Sequence, residues 1–283
     1  MVEIRDLQVR YGDFVAVDGL SLSVPKGALL GLLGPNGAGK TTTINAICGL
    51  LQPTAGQVRV DGLDVTADAR GVRARVGLVP QQLALYPTLT VRQNVDFFCG
   101  LMGLKGQRAR DRRAWALALA QLDAKADAKV ETLSGGMKRR LNLACGLLHD
   151  PPVIICDEPT TGVDPQSRNH LFETIRGLHA EGRTVIYTTH YMEEVEALCD
   201  RVAIVDRGRV VAHDRLDALL DGGDTTRFHV TAHASAAQVA EALAAFAPQV
   251  VQAPRTLEQV FLDLTGRGLR DGEADTGAGG GAP

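Results

Sequence analysis

Eight residues, Gly34-Pro35-Asn36-Gly37-Ala38-Gly39-Lys40-Thr41, constrain this chain more than any other stretch. They fit the pattern GxxxxGK followed by Ser or Thr, with a strand-like run before them and a helical pattern after. Glycines let the backbone curl until several N–H groups face one anion, and the positive end of the following helix adds to that pull. In such a loop the Lys40 ammonium reaches the β- and γ-phosphates and the Thr41 hydroxyl helps to hold Mg²⁺. Thr42 is counted with the nucleotide-binding residues beside it. The loop alone says only that a nucleoside triphosphate binds; the flanking strand and helix argue against a glycine-rich turn matching by chance.

The rest of the chain continues that alternation. Residues 2–9, 15–24 and 28–33 read as strands, with Pro25-Lys26-Gly27 turning before the third. A helix is expected over 40–50, strand character over 56–65 and a short apolar run over 76–79. Residues 90–146 carry apolar positions at three- and four-residue spacing and read as helical. Buried-type runs at 153–156 and 184–189 flank a helix around 166–180. The pattern predicts an α/β fold, a mostly parallel sheet with helices on both faces. Antiparallel strands at the N-terminus and an inserted helical block, residues 83–150, decorate it. Composition shifts at Asp221-Gly222-Gly223-Asp224, which closes a main domain of residues 1–221. A small α+β module is expected over 225–267, with a strand at 227–233 and helices at 236–246 and 257–264. Residues 268–283, rich in Gly and Ala, read as a disordered tail.

The apolar run 153–156 leads straight into Asp157-Glu158. Adjacent acids after a buried strand are costly unless a cation or a reaction needs them, and ligands in open parallel sheets gather at such strand ends. Asp157 is placed to support Mg²⁺, and Glu158 to polarise an attacking water as general base. The bland alternative, a solvated turn, loses ground because the phosphate loop shares the chain. Two more strands end in suitable polar residues: Val79-Pro80 leads to Gln81, and Thr188-Thr189 leads to His190. Four strand ends therefore deliver phosphate- or metal-directed groups.

Bulk properties narrow the setting. A formal net charge of -3 gives no broad footprint for nucleic acid, and none is expected as a partner. The five cysteines are scattered without a CxxC pair, which fits reduced thiols rather than a disulfide frame or a zinc site. The start lacks the basic and apolar segments of a signal peptide, and no apolar run reaches the roughly 18 residues needed to cross a bilayer.

Leu133-Ser134-Gly135-Gly136-Met137 resembles the signature of the ABC ATPases, and the order of motifs matches that family from residue 2 to 220. The resemblance implies a P-loop NTPase of the RecA-like kind. Its cofactors are ATP and Mg²⁺, and its partners are a second ATPase subunit, for which a second copy of this chain is allowed because every catalytic position is filled, and an integral membrane permease of the ABC-2 type. Ser134 can cap a helix whose first turn holds Gly135 and Gly136, an exposed anion-binding end. In this family that end faces the γ-phosphate held by the other subunit, so Ser134 and Gly136 act across the dimer. Tyr11 resembles the aromatic that stacks on adenine, although a half-buried strand tyrosine would look the same. Gln81 resembles the residue that senses Mg²⁺ and relays closure, with Gln82 the weaker candidate; Asp164 resembles the acid that communicates across the dimer, and His190 the γ-phosphate switch. Met137 in place of glutamine, Val163 in place of leucine and Cys156 in place of an aliphatic depart from the pattern without removing a needed charge or donor.

Residues 134–144, 189–207 and 256–267 are similar to the ATPases of ABC-2-type exporters, such as drug-resistance and nodulation-type efflux systems. That branch implies export and a position on the cytoplasmic face of the membrane, with the permease docking near residues 81–92. The basic run Arg108, Arg110, Arg112 and Arg113 reads as a solvated helix face rather than a lipid contact. Non-transport ABC ATPases, which carry paired cassettes or long coiled coils, and guanine-reading GTPases, which need Asn-Lys-x-Asp, fit less well.

Overall fold

Alternation along the buried strands decides how the layers form. Leu30 and Leu32 point into one apolar cluster and Leu29 and Leu33 into another; Val153 and Ile155 oppose Ile154 and Cys156 in the same way. Strands with both faces apolar must be covered on both sides, which is the condition for a parallel sheet inside an α/β domain. In the computed structural model, which describes residues 1–221 and 256–266, this sheet is the centre of the molecule.

The strands are β1 (Val2–Tyr11), β2 (Phe14–Val24), β3 (Leu29–Leu33), β4 (Ala55–Val60), β5 (Leu63–Asp64), β6 (Val76–Val79), β7 (Val153–Asp157), β8 (Thr184–Thr189), β9 (Arg201–Asp206) and β10 (Arg209–Arg215). The helices are α1 (Lys40–Ile47), α2 (Ala69–Arg73), α3 (Val91–Leu101), α4 (Gly106–Ala120), α5 (Gly135–Gly146), α6 (Pro165–Ala180), α7 (Met192–Leu198), α8 (Leu216–Leu220) and α9 (Leu257–Thr265). The central sheet runs β10-β9-β3-β8-β7-β6 and is parallel apart from β10; a smaller antiparallel sheet runs β2-β1-β4-β5. The smaller sheet and α1 share the first cluster, while α6, α7 and α9 cover the other face.

Three differences from the sequence reading have plain causes. The expected strand over 56–65 is a hairpin, because Asp61 and Gly62 both take positive φ (51° and 81°) and reverse the chain. The helical stretch over 90–146 is three helices separated by turns; Thr90 and Gln93 cap α3 reciprocally, and Gln121 ends α4 in the left-handed region. Strands β9 and β10 were not anticipated, although the apolar run Val202-Ala203-Ile204-Val205 before Arg207-Gly208 carries a hairpin signal. The helix expected over 257–264 is present as α9, and Leu257, Val260 and Phe261 are buried in the second cluster. The strand at 227–233, the helix at 236–246 and the tail at 268–283 lie outside the described residues.

Helices α3 to α5 build a third cluster around Val95, Leu117, Leu141 and Leu148. The basic run of α4 divides in two. Arg108 and Arg110 are exposed, as a solvated face would be. Arg112 instead lies 3.7 Å over the Trp115 ring and donates to the Leu147 and Leu148 carbonyls at 2.8 Å, and Arg113 pairs with Asp96. These two cations fasten the block internally, which a reading by charge alone does not reveal. Among the described residues, no helix is long and apolar enough to cross a membrane.

Candidate active site

Four adjacent parallel strands, β3, β8, β7 and β6, end on one side of the central sheet and hand over to the four polar segments singled out above. The phosphate loop follows β3. Gly39 caps α1 with φ 99°, and a Cβ there would lie 2.7 Å from the Ala16 carbonyl oxygen, so only glycine fits between loop and β2. Ala16 is two residues from Phe14, which pairs with Tyr11 across the β1–β2 hairpin. The hairpin tip thus carries two exposed aromatic rings, Tyr11 and Phe14, on a strand packed against the loop. The sequence reading named Tyr11 and passed over Phe14.

Lys40 is only 5 % exposed. Its Nζ donates to the Gly34 and Pro35 carbonyls at 2.8 and 3.1 Å and sits 3.5 Å from Glu158 Oε1. Burial lowers the Lys40 pKa, and the Glu158 carboxylate opposes that shift. The Thr41 hydroxyl donates to Asp157 Oδ2 at 3.2 Å, and Thr188 donates to Asp157 Oδ1 at 2.7 Å. Asp157, the last residue of β7, is therefore an oriented carboxylate beside a hydroxyl. Mg²⁺ favours such hard oxygen donors, with one or two carboxylates completed by substrate phosphates and water.

Glu158 is the hub. It adopts φ 41°, a left-handed conformation that costs a non-glycine residue about 1–3 kcal/mol. Its N–H holds that bend by donating to the Thr188 carbonyl and hydroxyl at 3.2 and 3.0 Å. Gln81 Nε2 donates to Oε2 at 3.0 Å, the Thr161 hydroxyl reaches the same oxygen at 3.4 Å, and His190 Nδ1 stands 3.3 Å from Oε1. Gln81, His190, Lys40 and Glu158 are thus brought together within hydrogen-bonding or ion-pair reach. A carboxylate with a cation, an amide and an imidazole around it can accept a proton from water and steer that water at a phosphoryl group.

The second glycine-bearing helix start stands apart. Ser134 caps α5 by accepting the Met137 N–H at 3.3 Å, and Ser134 and Gly135 are exposed. Among the described residues, no hydrogen bond or ion pair joins Ser134, Gly135 or Gly136 to Lys40 or Glu158. Gly136 is buried against α6: a Cβ there would come 2.0 Å from the Ser167 hydroxyl. Asp164 caps α6 through the Ser167 N–H at 3.0 Å, and that bond lowers its pKa. Arg139, which the sequence reading did not single out, donates from α5 to the Gln81 carbonyl and, at 2.9 Å, to the Thr161 carbonyl. One side chain of α5 therefore grips the segments on both sides of Glu158. Cys156 is fully buried and its thiol is pushed up to about 12, so it packs as a small apolar residue.

Comparison with known proteins agrees with this geometry. The family model described as ABC transporter matches residues 17–161. The chain is 43% identical to Nod factor export ATP-binding protein I of Burkholderia orbicola (strain AU 1054), over 95% of this chain and 98% of that protein. It is 46% identical to Linearmycin resistance ATP-binding protein LnrL of Bacillus subtilis (strain 168), over 80% of this chain and 73% of the relative. Among solved structures, an ATP-binding subunit of an ABC transporter superposes with a TM-score of 0.71 at 29% identity, covering 78% of this chain and 92% of its own. The dimeric post-hydrolysis ATP-binding cassette MJ0796 with ADP and Pi gives 0.68 at 28% identity, covering 76% and 99%. With a family model over half of its length and relatives this similar over nearly all of it, the chain belongs to the ABC transporter ATPases, which bind and hydrolyse ATP.

Proposed function

We propose that this ATPase drives export through a separate membrane permease of the ABC-2 type, working as a pair of identical subunits on the cytoplasmic face of the membrane. The observation that carries the reading is the split site: Glu158 is surrounded by Lys40, Gln81 and His190 within one chain, while the Ser134 helix start faces outward. Two copies placed head to tail would set each Ser134–Gly136 end against the γ-phosphate held by the other. The names of the relatives, Nod factor export and linearmycin resistance, support export as the direction.

In this reading the backbone of residues 34–39 cradles the phosphates of ATP, Lys40 neutralises the β- and γ-oxygens, and Tyr11 stacks on adenine. Thr41, Asp157 and Gln81 would hold Mg²⁺, which supplies charge neutralisation on the phosphates when bound. Glu158 orients and deprotonates the attacking water, and His190 contacts the γ-phosphate. Ser134, Gly135 and Gly136 donate from the partner copy as charge develops, and Asp164 reports closure across the dimer.

The permease would seat in the cleft between the core and the helical block. That cleft has a volume of about 730 Å³, and Leu50, Phe98, Leu101, Arg70, Arg73 and Lys105 line it together with Pro80, the residue before Gln81. Tyr86, within the expected docking stretch, is half-exposed and packs edge-on against Phe97 at 4.6 Å. The domain division proposed is residues 1–221 as the ATPase, 83–150 as its permease-facing block and 225–267 as an appended module whose last helix, α9, is seated in the second apolar cluster of the ATPase.

The decisive experiment is Glu158→Gln. Steady-state ATPase should fall by about 100-fold or more, while ATP still binds and size-exclusion chromatography shows an ATP-stabilised dimer. Unchanged turnover would remove Glu158 from its role, and a monomer at every ATP concentration would remove the two-copy site.

A further inference from the structure

A second acid lies behind the site, on the inner face of α7. Of Glu193, Glu194 and Glu196 in that helix, only Glu194 is buried, at 2 % exposure. No ion pair among the described residues neutralises it. Three hydroxyls do the work of a counter-ion instead. Thr160 donates to Oε1 at 2.8 Å, and Tyr187 and Thr189 donate to Oε2 at 2.9 and 2.7 Å. Each hydroxyl has a single hydrogen, and the carboxylate accepts all three. The 3.2 Å contact between Thr160 and Tyr187 is then left without a hydrogen, so these two oxygens are held together only through Glu194.

The three donors are not scattered. Thr160 is two residues beyond Glu158, and Thr189 directly precedes His190. The Thr189 hydroxyl also accepts the Tyr191 N–H at 3.0 Å, so it clamps the backbone on both sides of His190. Tyr187 belongs to β8, the strand that delivers His190. One carboxylate therefore ties the segment after Glu158 to the segment before His190, two groups that face each other at 3.3 Å. A buried acid is costly to keep unless fully hydrogen-bonded, and an apolar residue would pack there more simply.

We propose that Glu194 is a positioning residue for ATP hydrolysis: it fixes the separation of Glu158 and His190 from behind without touching nucleotide. The inference rests on the roles given above to those two residues. Misplacement of a reacting group by a fraction of its contact distance costs rate and leaves ground-state binding alone.

The test compares ATPase kinetics and ATP affinity in the full chain for Glu194→Gln, Glu194→Ala, Tyr187→Phe, Thr189→Val and Thr189→Ser. Glu194→Gln keeps the shape but turns one acceptor into a donor. Its kcat should fall about 10-fold or more while KM and ATP affinity stay within about 3-fold. Tyr187→Phe, which keeps two of the three hydrogen bonds, should show a smaller fall of the same kind. Thr189→Ser should recover most of the turnover that Thr189→Val loses. Thermal melts confirm that each variant is folded; if Glu194→Ala does not fold, Tyr187→Phe and the Thr189 pair decide the matter. A Glu194→Gln enzyme with kcat within about 2-fold of wild type, or a parallel loss of kcat and ATP affinity, overturns the proposal. Glu158→Gln and His190→Ala are measured alongside. If those two retain turnover, the underlying site assignment is what fails; if they lose it while the Glu194 series does not, only the positioning role fails.

Discussion

The phosphate loop and the Ser134 helix start are both glycine-bearing helix N-termini, and the fold treats them in opposite ways. The Lys40 ammonium is answered from within the chain, by Gly34, Pro35 and Glu158, and the lysine is buried. At α5 the serine hydroxyl serves its own helix, and the flanking glycine is open to the outside. Rigid assembly suits the first region because it must hold charge in a fixed array. Exposure suits the second under the proposed function, in which its amides meet nucleotide held by a second copy. The glycine at 136 shows that openness is not looseness: its back is pressed against Ser167, so the exposed edge has a fixed orientation.

Four substitutions would break or sharpen that contrast. Ser134→Arg, which blocks the open end, should lower steady-state ATPase by about 100-fold or more. ATP affinity should be unchanged, and stability should fall only by the roughly 0.5–2 kcal/mol that losing the Ser134 cap costs; a matching loss of ATP affinity would mean the two regions form one site within a chain. Lys40→Ala strikes the buried array instead, and ATP affinity measured by titration should weaken about 10- to 100-fold. Thr188→Val removes a donor to Asp157 and an acceptor for the Glu158 N–H, and should cost about 1–3 kcal/mol in a urea titration. Cys156→Val tests whether the neighbouring thiol matters beyond its volume. The expected change is within about 1.5 kcal/mol, with ATPase activity retained.

What could be seen in the sequence divides along the same physical line. The phosphate loop, Asp157-Glu158 and Ser134-Gly135-Gly136 are contiguous, because backbone curvature and helix capping are local requirements. Their order along the chain was enough to suggest the family, and the parallel sheet followed from apolar runs alternating with helical spacing. Arg139 and Glu194 were invisible for the opposite reason. Arg139 reaches the Gln81 carbonyl 58 positions away, and Glu194 meets Thr160 34 positions away, so no local spacing marks either one. Glu194 sits between other acids in α7, and only burial tells it from Glu193. Strands β9 and β10 show another limit. Val202-Ala203-Ile204-Val205 is a short apolar run that could equally belong to a buried helix, and β10 is only half-buried, so neither strand stands out by periodicity. Arg112 was lost in a charge run whose neighbours do face water.

Helix α9 has a bearing on where this protein can be cut. Its Phe261 is sealed from water, its first N–H is received by Glu196 of α7 at 2.8 Å, and it lies against α8 and β10 as well. The described polypeptide from residue 256 therefore braces the very helix whose Glu194 holds Thr160, Tyr187 and Thr189. A shortened gene stopping at residue 221 would leave that flank bare, whereas one running through residue 266 keeps it clothed.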